Sequence, residues 1–172
     1  MPLKEKRAAY HRAMVETPAL LESADTLEEV ERIVRTAART LLHAHGATLV
    51  LLDGDQCYYA DEDSMSPLWK GQRFPSATCV SGWAMAHRRT VAIPDIHVDP
   101  RIPQAAYRPT FVRSLVVTPI LRPDPIGAIG VYWAGLHLAT ATEIAALEDL
   151  ALVSGDALER FPEGIPARGF PA

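Results

Sequence analysis

Two apolar segments, SLVVTPIL (114–121) and IGAIGVYWA (126–134), decide the fold of this 172-residue chain. The turn sequence RPDP (122–125) separates them, so they predict two antiparallel strands that pair as a hairpin. Gly127 and Gly130 interrupt the second strand. Glycines there indicate a bulge, or the close approach of another backbone or a ligand, and we favour the bulge. We expect this hairpin to form the centre of the sheet.

A second hairpin is predicted upstream, where ATLVLL (47–52) and CYYA (57–60) flank the turn DGDQ (53–56). The polar segment 61–78 is expected to be mostly loop, with a short strand around residues 69–74. CVSGWAMAHRR (79–89) predicts a short helix and TVAIPDI (90–96) a short strand. DPRIPQAAYRPTF (99–111) is expected to be irregular because it carries three prolines.

Helices are predicted on both sides of these strands. Residues 1–16 are charged and helix-prone, and 25–46 reads as a helix with a Thr26–Glu29 capping box and Gly46 as its terminator. Residues 139–161 form a third helix, opened by a Thr140–Glu143 capping box. The expected fold is α+β, with about five or six antiparallel strands flanked by N- and C-terminal helices.

The helix at 25–46 carries an apolar seam at alternating spacings of three and four residues: Leu27, Val30, Val34, Ala37 and Leu41. Packing on the chain's own sheet and packing against a second copy both explain this seam. The homodimer hypothesis pairs the terminal helices of two protomers, so charged residues at Val34 and Leu41 should disrupt it.

Composition excludes several classes of protein. The net charge is −4 and the basic residues are scattered, which argues against nucleic acid as a partner. Two cysteines are too few for a disulfide framework, and no segment resembles a signal peptide or a membrane span. The cytoplasm is the expected compartment, and no membrane contact is expected.

Residues 79–102 concentrate Cys79, His87 and His97 with two aspartates, Asp95 and Asp99, but their spacing does not predict a metal site. Cys79 and His87 would lie about 12 Å apart along a helix, whereas zinc ligands each lie about 2 Å from one metal. The aspartates beside Pro94 and Pro100 are explained by turn chemistry. Ser81 lacks a nucleophile-elbow motif, and Cys79 is interpreted as an apolar core residue. No catalytic residue and no metal ligand is therefore assigned.

The order of motifs resembles a GAF domain, the sensory module of bacterial two-component histidine kinases, phosphodiesterases and phytochromes. These motifs are a Gly-containing short helix (79–89), IPDI (93–96), DPR (99–101), VVTPI (116–120) and IGAIG (126–130). The resemblance spans roughly Thr26 to Arg160 and implies a GAF/PAS-like sheet with a pocket between one face and its loops. Residues 1–24 would then be a helical lead-in, 25–161 the GAF domain and 162–172 a flexible tail.

The resemblance also implies which residues would line that pocket. The expected ligand-binding residues are Ser81, Trp83, Met85, Ile93, Tyr107, Phe111, Arg113 and Trp133. Apolar and aromatic groups around a few polar ones are typical of a small-ligand site. Arg113 could hold an anionic group of the ligand, and a salt bridge to Asp95 or Asp99 is the alternative.

The sequence lacks motifs of several GAF subfamilies, and these differences reduce the range of expected ligands. Residues 99–113 contain no cysteine, which argues against covalent bilin attachment and against the catalytic thiol of free methionine sulfoxide reductases. The N-K-F-D-E pattern of cyclic-nucleotide-binding members is absent, and the cofactor remains unknown. We expect a non-enzymatic sensory module that binds a small molecule and signals through its terminal helices. The alternative is a small thiol redox enzyme of the free methionine sulfoxide reductase type that uses Cys57 and Cys79.

Overall fold

The computed structural model describes residues 1–162, so the expected flexible tail lies outside the described residues except for Pro162. The chain forms five helices and six strands in this range. In chain order they are α1 (Leu3–Ser23), α2 (Leu27–Leu41), β1 (Gly46–Asp53), β2 (Gln56–Ser64), β3 (Arg73–Pro75), α3 (Val80–His87), β4 (Val91–Ile93), α4 (Gln104–Tyr107), β5 (Ser114–Arg122), β6 (Asp124–Trp133) and α5 (Ala141–Glu159).

The six strands form one antiparallel sheet in the order β3-β2-β1-β6-β5-β4, which confirms the α+β prediction. The β5–β6 hairpin pairs from Ser114 opposite Trp133 to Arg122 opposite Asp124. The β1–β2 hairpin is also confirmed, and its turn uses Gly54 at φ 60°. β2 continues to Ser64, because residues 61–64, expected to be loop, pair with β1.

Both explanations considered for the glycines of β6 hold. A register shift leaves Ile126 as an extra residue beside Gly127, which is a bulge. A Cβ on Gly127 would also lie 2.3 Å from the Val50 carbonyl oxygen, and one on Gly130 would lie 2.2 Å from the Tyr132 hydroxyl. β6 therefore needs glycine at position 127 to approach β1 this closely, and at position 130 to leave room for the Tyr132 side chain.

Both faces of the sheet are covered. On one face α1, α2 and α5 enclose what we call the helical-side core, which includes Val34, Leu49, Ile129 and Leu147. On the other face α3 and the long loops enclose the loop-side core, which includes Val50, Met85, Ile93 and Tyr132. Since side chains alternate along each strand, every central strand contributes to both cores.

The helix signals in the sequence are largely confirmed. Thr26 accepts a hydrogen bond from the Glu29 amide at the start of α2, and the full Thr140–Glu143 capping box is present at α5. The predicted end of α2 was wrong: the helix stops at Leu41, His43 adopts the left-handed conformation, and Gly46 begins β1. Residues 104–107, expected to be irregular, form the short helix α4.

The apolar seam of α2 packs inside its own chain. Val30, Val34, Ala37 and Leu41 all belong to the helical-side core, and Val34 and Leu41 are 0% and 3% exposed. These residues are therefore unavailable to a second copy, and an interface built on Val34 and Leu41 is wrong. Across residues 1–162, no helix combines the length and the hydropathy needed to cross a membrane.

The close approach of β6 to β1 predicts a large cost for a single added methyl group. In Gly127→Ala the new Cβ would collide with the backbone of Val50, which cannot rotate away. We expect a loss of about 1–3 kcal/mol in the free energy of unfolding, measured by urea denaturation. In the control Gly135→Ala, a Cβ meets no atom within 4 Å, and we expect a change within about 0.5 kcal/mol. Equal effects of the two substitutions would contradict the close approach.

Candidate functional site

The loop-side core brings together most of the residues predicted to bind a ligand. Ser81 and Met85 of α3, Ile93 of β4 and Tyr107 of α4 are buried there. Trp83 and Phe111 are half-buried and pack against the same core. The structure therefore gathers these six residues on one face of the sheet.

Trp133 lies on the opposite face, in the helical-side core, where it stacks on His137. The prediction that it lines the same pocket as Ser81 is therefore not met. The residue of β6 that faces the loops is its neighbour Tyr132, because a shift of one residue along a strand changes the face.

Arg113 forms a two-armed ion pair with Asp95, in which its Nε and one terminal nitrogen donate to the carboxylate at 2.9 and 3.1 Å. These hydrogen bonds lower the pKa of Asp95 to about 2. Asp99 pairs instead with Arg101. The guanidinium of Arg113 therefore already binds a carboxylate, as the salt-bridge alternative expected, and is not free to bind an anionic ligand.

Trp69 is the centre of the loop-side core, although the sequence did not single it out. Its ring makes edge-to-face contacts with Tyr59, Tyr107 and Tyr132 at centroid distances of 5.4, 4.8 and 5.5 Å. Its indole nitrogen donates to the Ala106 carbonyl at 3.0 Å. Trp69 thus packs the loop after β2 and the segment around α4 against the face of the sheet.

Three tyrosine hydroxyls enter this core. Tyr132 shares a 3.0 Å hydrogen bond with Thr48 of β1. Burial is the main reason that the pKa values of Tyr59, Tyr107 and Tyr132 all lie above the usual value. The phenols therefore stay neutral and can donate hydrogen bonds at any physiological pH.

Ser81 adds a further hydroxyl to this group. Its Oγ is buried and has no hydrogen-bond partner, and it lies close enough to the Tyr59 phenol to oppose the rise in the pKa of that group. The first turn of α3 is held in place by Gly82, where a Cβ would lie 1.8 Å from the Ser76 carbonyl oxygen. An unsatisfied buried hydroxyl is costly, so the Ser81 Oγ is free to form a hydrogen bond with a bound molecule.

The two cysteines meet in the same core. Cys57 comes from β2 and Cys79 is the N-cap of α3, where its sulfur accepts a hydrogen bond from the Gly82 amide at 3.4 Å. The two thiols interact, and this interaction is the main cause of a raised pKa for Cys57 and of a lowered pKa for Cys79. The interpretation of Cys79 as a simple core residue overlooked this interaction, because 22 positions separate the two cysteines.

Trp83 marks the outer edge of the site. Its ring stacks on His87 at 3.8 Å, and the guanidinium groups of Arg89 and Arg101 lie 5.1 and 4.8 Å from it. Within residues 1–162, no three His, Cys, Asp or Glu side chains cluster in a way that could hold a metal ion. The chemistry available on this face is therefore that of neutral hydroxyls, two thiols and aromatic rings.

Known families and solved structures share this architecture. A family model described as a GAF domain matches residues 24–159. A search of curated proteins finds no similar sequence.

Three solved structures illustrate the shared fold. Free methionine-R-sulfoxide reductase from Neisseria meningitidis, in complex with its substrate, is 20% identical, with a TM-score of 0.76 and 90% of each chain covered. The GAF domain of a Coxiella burnetii phosphoenolpyruvate-protein phosphotransferase is 15% identical, with a TM-score of 0.78, covering 89% of this chain and 94% of that one. The chromophore-binding domain of a bacteriophytochrome from R. palustris is 16% identical, with a TM-score of 0.76, and the match covers 92% of this chain and 62% of that one.

Proposed function

Because the chain belongs to the GAF domain family, we propose that it is a sensory module that binds a small molecule on the loop-covered face of its sheet. The observation that carries this proposal is the buried Ser81 hydroxyl without a hydrogen-bond partner, set beside the phenols of the loop-side core. Polar groups that converge in an apolar, aromatic surrounding are typical of small-ligand sites.

The chemistry of the site favours a particular class of ligand. Neutral phenols and a serine hydroxyl offer hydrogen-bond donors, and Arg101 and Arg113 are engaged with Asp99 and Asp95. A small, uncharged or weakly polar molecule with acceptor oxygens therefore fits best. Because Trp69 and Tyr107 close the face, the ligand would enter as the loops that carry them move outward.

A polar connection leads from this face to the terminal helices. Thr90 follows α3, and its hydroxyl contacts Thr118 of β5 at 2.9 Å and donates to Glu148 of α5 at 2.7 Å. Displacement of α3 by a ligand would therefore act on α5 through Thr90. We propose this connection as the route by which binding becomes a signal.

The ligand proposal predicts different roles for two buried serines. A thermal-shift screen of metabolites, nucleotides and tetrapyrroles should give at least one stabilising compound. For that compound, Ser81→Ala should raise the Kd roughly tenfold, through loss of one hydrogen bond. Ser154→Ala is the matched control, since it removes an equally buried and unpartnered hydroxyl from α5, and it should leave the Kd unchanged. A screen without hits, or equal weakening by both substitutions, would contradict the proposed site.

The thiol pair favours a second candidate function, a redox enzyme of the free methionine sulfoxide reductase type. Two interacting cysteines and the fold shared with the N. meningitidis enzyme support it, whereas the lack of a cysteine in residues 99–113 opposes it. The test is turnover of free methionine-R-sulfoxide with a dithiol reductant. The sensory proposal predicts no turnover above that of the Cys57→Ser/Cys79→Ser double variant. Turnover by the wild type that the double variant lacks would decide for the enzyme.

We further propose a homodimer, now through the outer surface of the terminal helices instead of the buried seam of α2. A cleft of about 170 Å³ runs between α1 and α5, lined by Met14, Pro18, Leu150 and Val153 among others. Met14, Val15 and Leu20 leave apolar surface exposed along α1, and a second copy of the same surface could cover it.

The revised interface predicts which exposed apolar residues matter for assembly. Met14→Glu should shift a dimer to monomer in sedimentation at micromolar concentration, because it places a charge in the apolar contact. Leu138→Glu is the control, since Leu138 is 73% exposed and lies before α5, away from the cleft. A monomeric wild type, or a dimer that tolerates Met14→Glu, would rule out this interface.

A further inference from the structure

We infer that Glu62 is the latch of a gate over the loop-side core, a role that rests on the proposed function and regulates access to that same site. The gate is the loop of residues 65–72, which joins β2 to β3 and carries Trp69. Trp69 is 4% exposed, and its ring contacts the phenols of the core. Outward movement of this loop therefore opens the core to a small molecule.

The two ends of the gate are held by the main chain. The Met65 amide donates to the His45 carbonyl at 2.9 Å, and the Gly71 amide donates to the Tyr59 carbonyl at 2.8 Å. Gly71 has a φ of 83°, in the left-handed region that glycine adopts without steric cost. Met65 and Gly71 are therefore the hinges about which residues 66–70 can turn.

Between the hinges, one carboxylate holds the residues on either side of Trp69. The Leu68 amide donates to Glu62 Oε2 at 2.8 Å, and the Lys70 amide donates to Glu62 Oε1 at 2.6 Å. Lys70 Nζ adds an ion pair at 2.9 Å with Asp61, the neighbour of Glu62 on β2. Hydrogen bonds to a carboxylate are stronger than those between neutral groups, so Glu62 ties the gate firmly to β2.

The latch lies where water reaches it, although the ring that it holds in place is buried. The Lys70 side chain is 61% exposed and Glu62 is half-buried, whereas Leu68 and Trp69 are buried. When the gate turns outward, water can replace Glu62 as the partner of the two amides. The Trp69 indole nitrogen loses its 3.0 Å hydrogen bond to the Ala106 carbonyl in the same movement, which makes it a reporter of the open state.

The test measures opening by NMR, as hydrogen exchange of the Trp69 indole N–H, with the Trp133 indole in the helical-side core as reference. Glu62→Gln replaces one acceptor oxygen by an amide nitrogen, which cannot accept from a backbone N–H. We expect Trp69 exchange to become roughly tenfold faster and Trp133 exchange to stay unchanged. Asp63→Asn is the matched control, since Asp63 is next to Glu62 on β2 but binds Arg39 of α2. It should leave both rates unchanged.

Entry of a small molecule is measured by alkylation of the native protein with N-ethylmaleimide. This reagent is neutral and carries carbonyl acceptors, as the proposed class of ligand does, and its targets Cys57 and Cys79 are buried in the loop-side core. In Glu62→Gln, alkylation should become faster by the same factor as Trp69 exchange. In Asp63→Asn it should keep the wild-type rate.

Several results would overturn the gate. They are equal rates in Glu62→Gln and Asp63→Asn, equal acceleration at both indoles, and faster Trp69 exchange without faster alkylation. If Glu62→Gln does not fold, the wild type decides, because local opening predicts a Trp69 exchange rate that low concentrations of urea do not change. A rate that rises with urea requires global unfolding and contradicts the gate. These measurements use no screened compound, so the gate can hold when the thermal-shift screen finds no ligand, and fail when it finds one.

Discussion

The contact between Tyr132 of β6 and Trp69 of the loop after β2 attaches the loops of the loop-side core to the central sheet. The Tyr132 side chain lies against Gly130, and its hydroxyl shares a hydrogen bond with Thr48 of β1. Its ring contacts Trp69, and Trp69 also contacts Tyr59 and Tyr107. One aromatic cluster thus anchors the loops to the central strands. Without it the loop after β2 and the segment around α4 would lose these contacts with the sheet.

Local signals in the sequence predicted the elements well. Capping residues, turn residues and strand composition act between near neighbours, so both hairpins and the start of α5 could be predicted correctly. The error at Gly46 has a tertiary cause: a Cβ there would lie 2.7 Å from Ser64 Oγ and 3.1 Å from Phe111. That glycine serves strand packing, and His43 takes the left-handed position that the glycine was expected to fill.

The candidate site could be predicted only in part, because it depends on contacts distant in sequence. The resemblance to GAF domains placed Ser81, Met85, Ile93 and Tyr107 on one face, but it could not tell that Tyr132 and not Trp133 faces the loops. That choice depends on which face α3 covers. The contacts of Trp69 were missed for the same reason, since nothing in the local sequence indicates its partners.

We propose that ligand binding on the loop-covered face reaches α5 across a single sheet, through the hydrogen bond from Thr90 to Glu148. Amide hydrogen exchange of the protein with and without a stabilising compound from the thermal-shift screen measures this coupling. We expect binding to change exchange in α3 and also in α5, and Ser81→Ala at the same compound concentration to show smaller changes in both. A change confined to α3, with α5 unaltered, would contradict it.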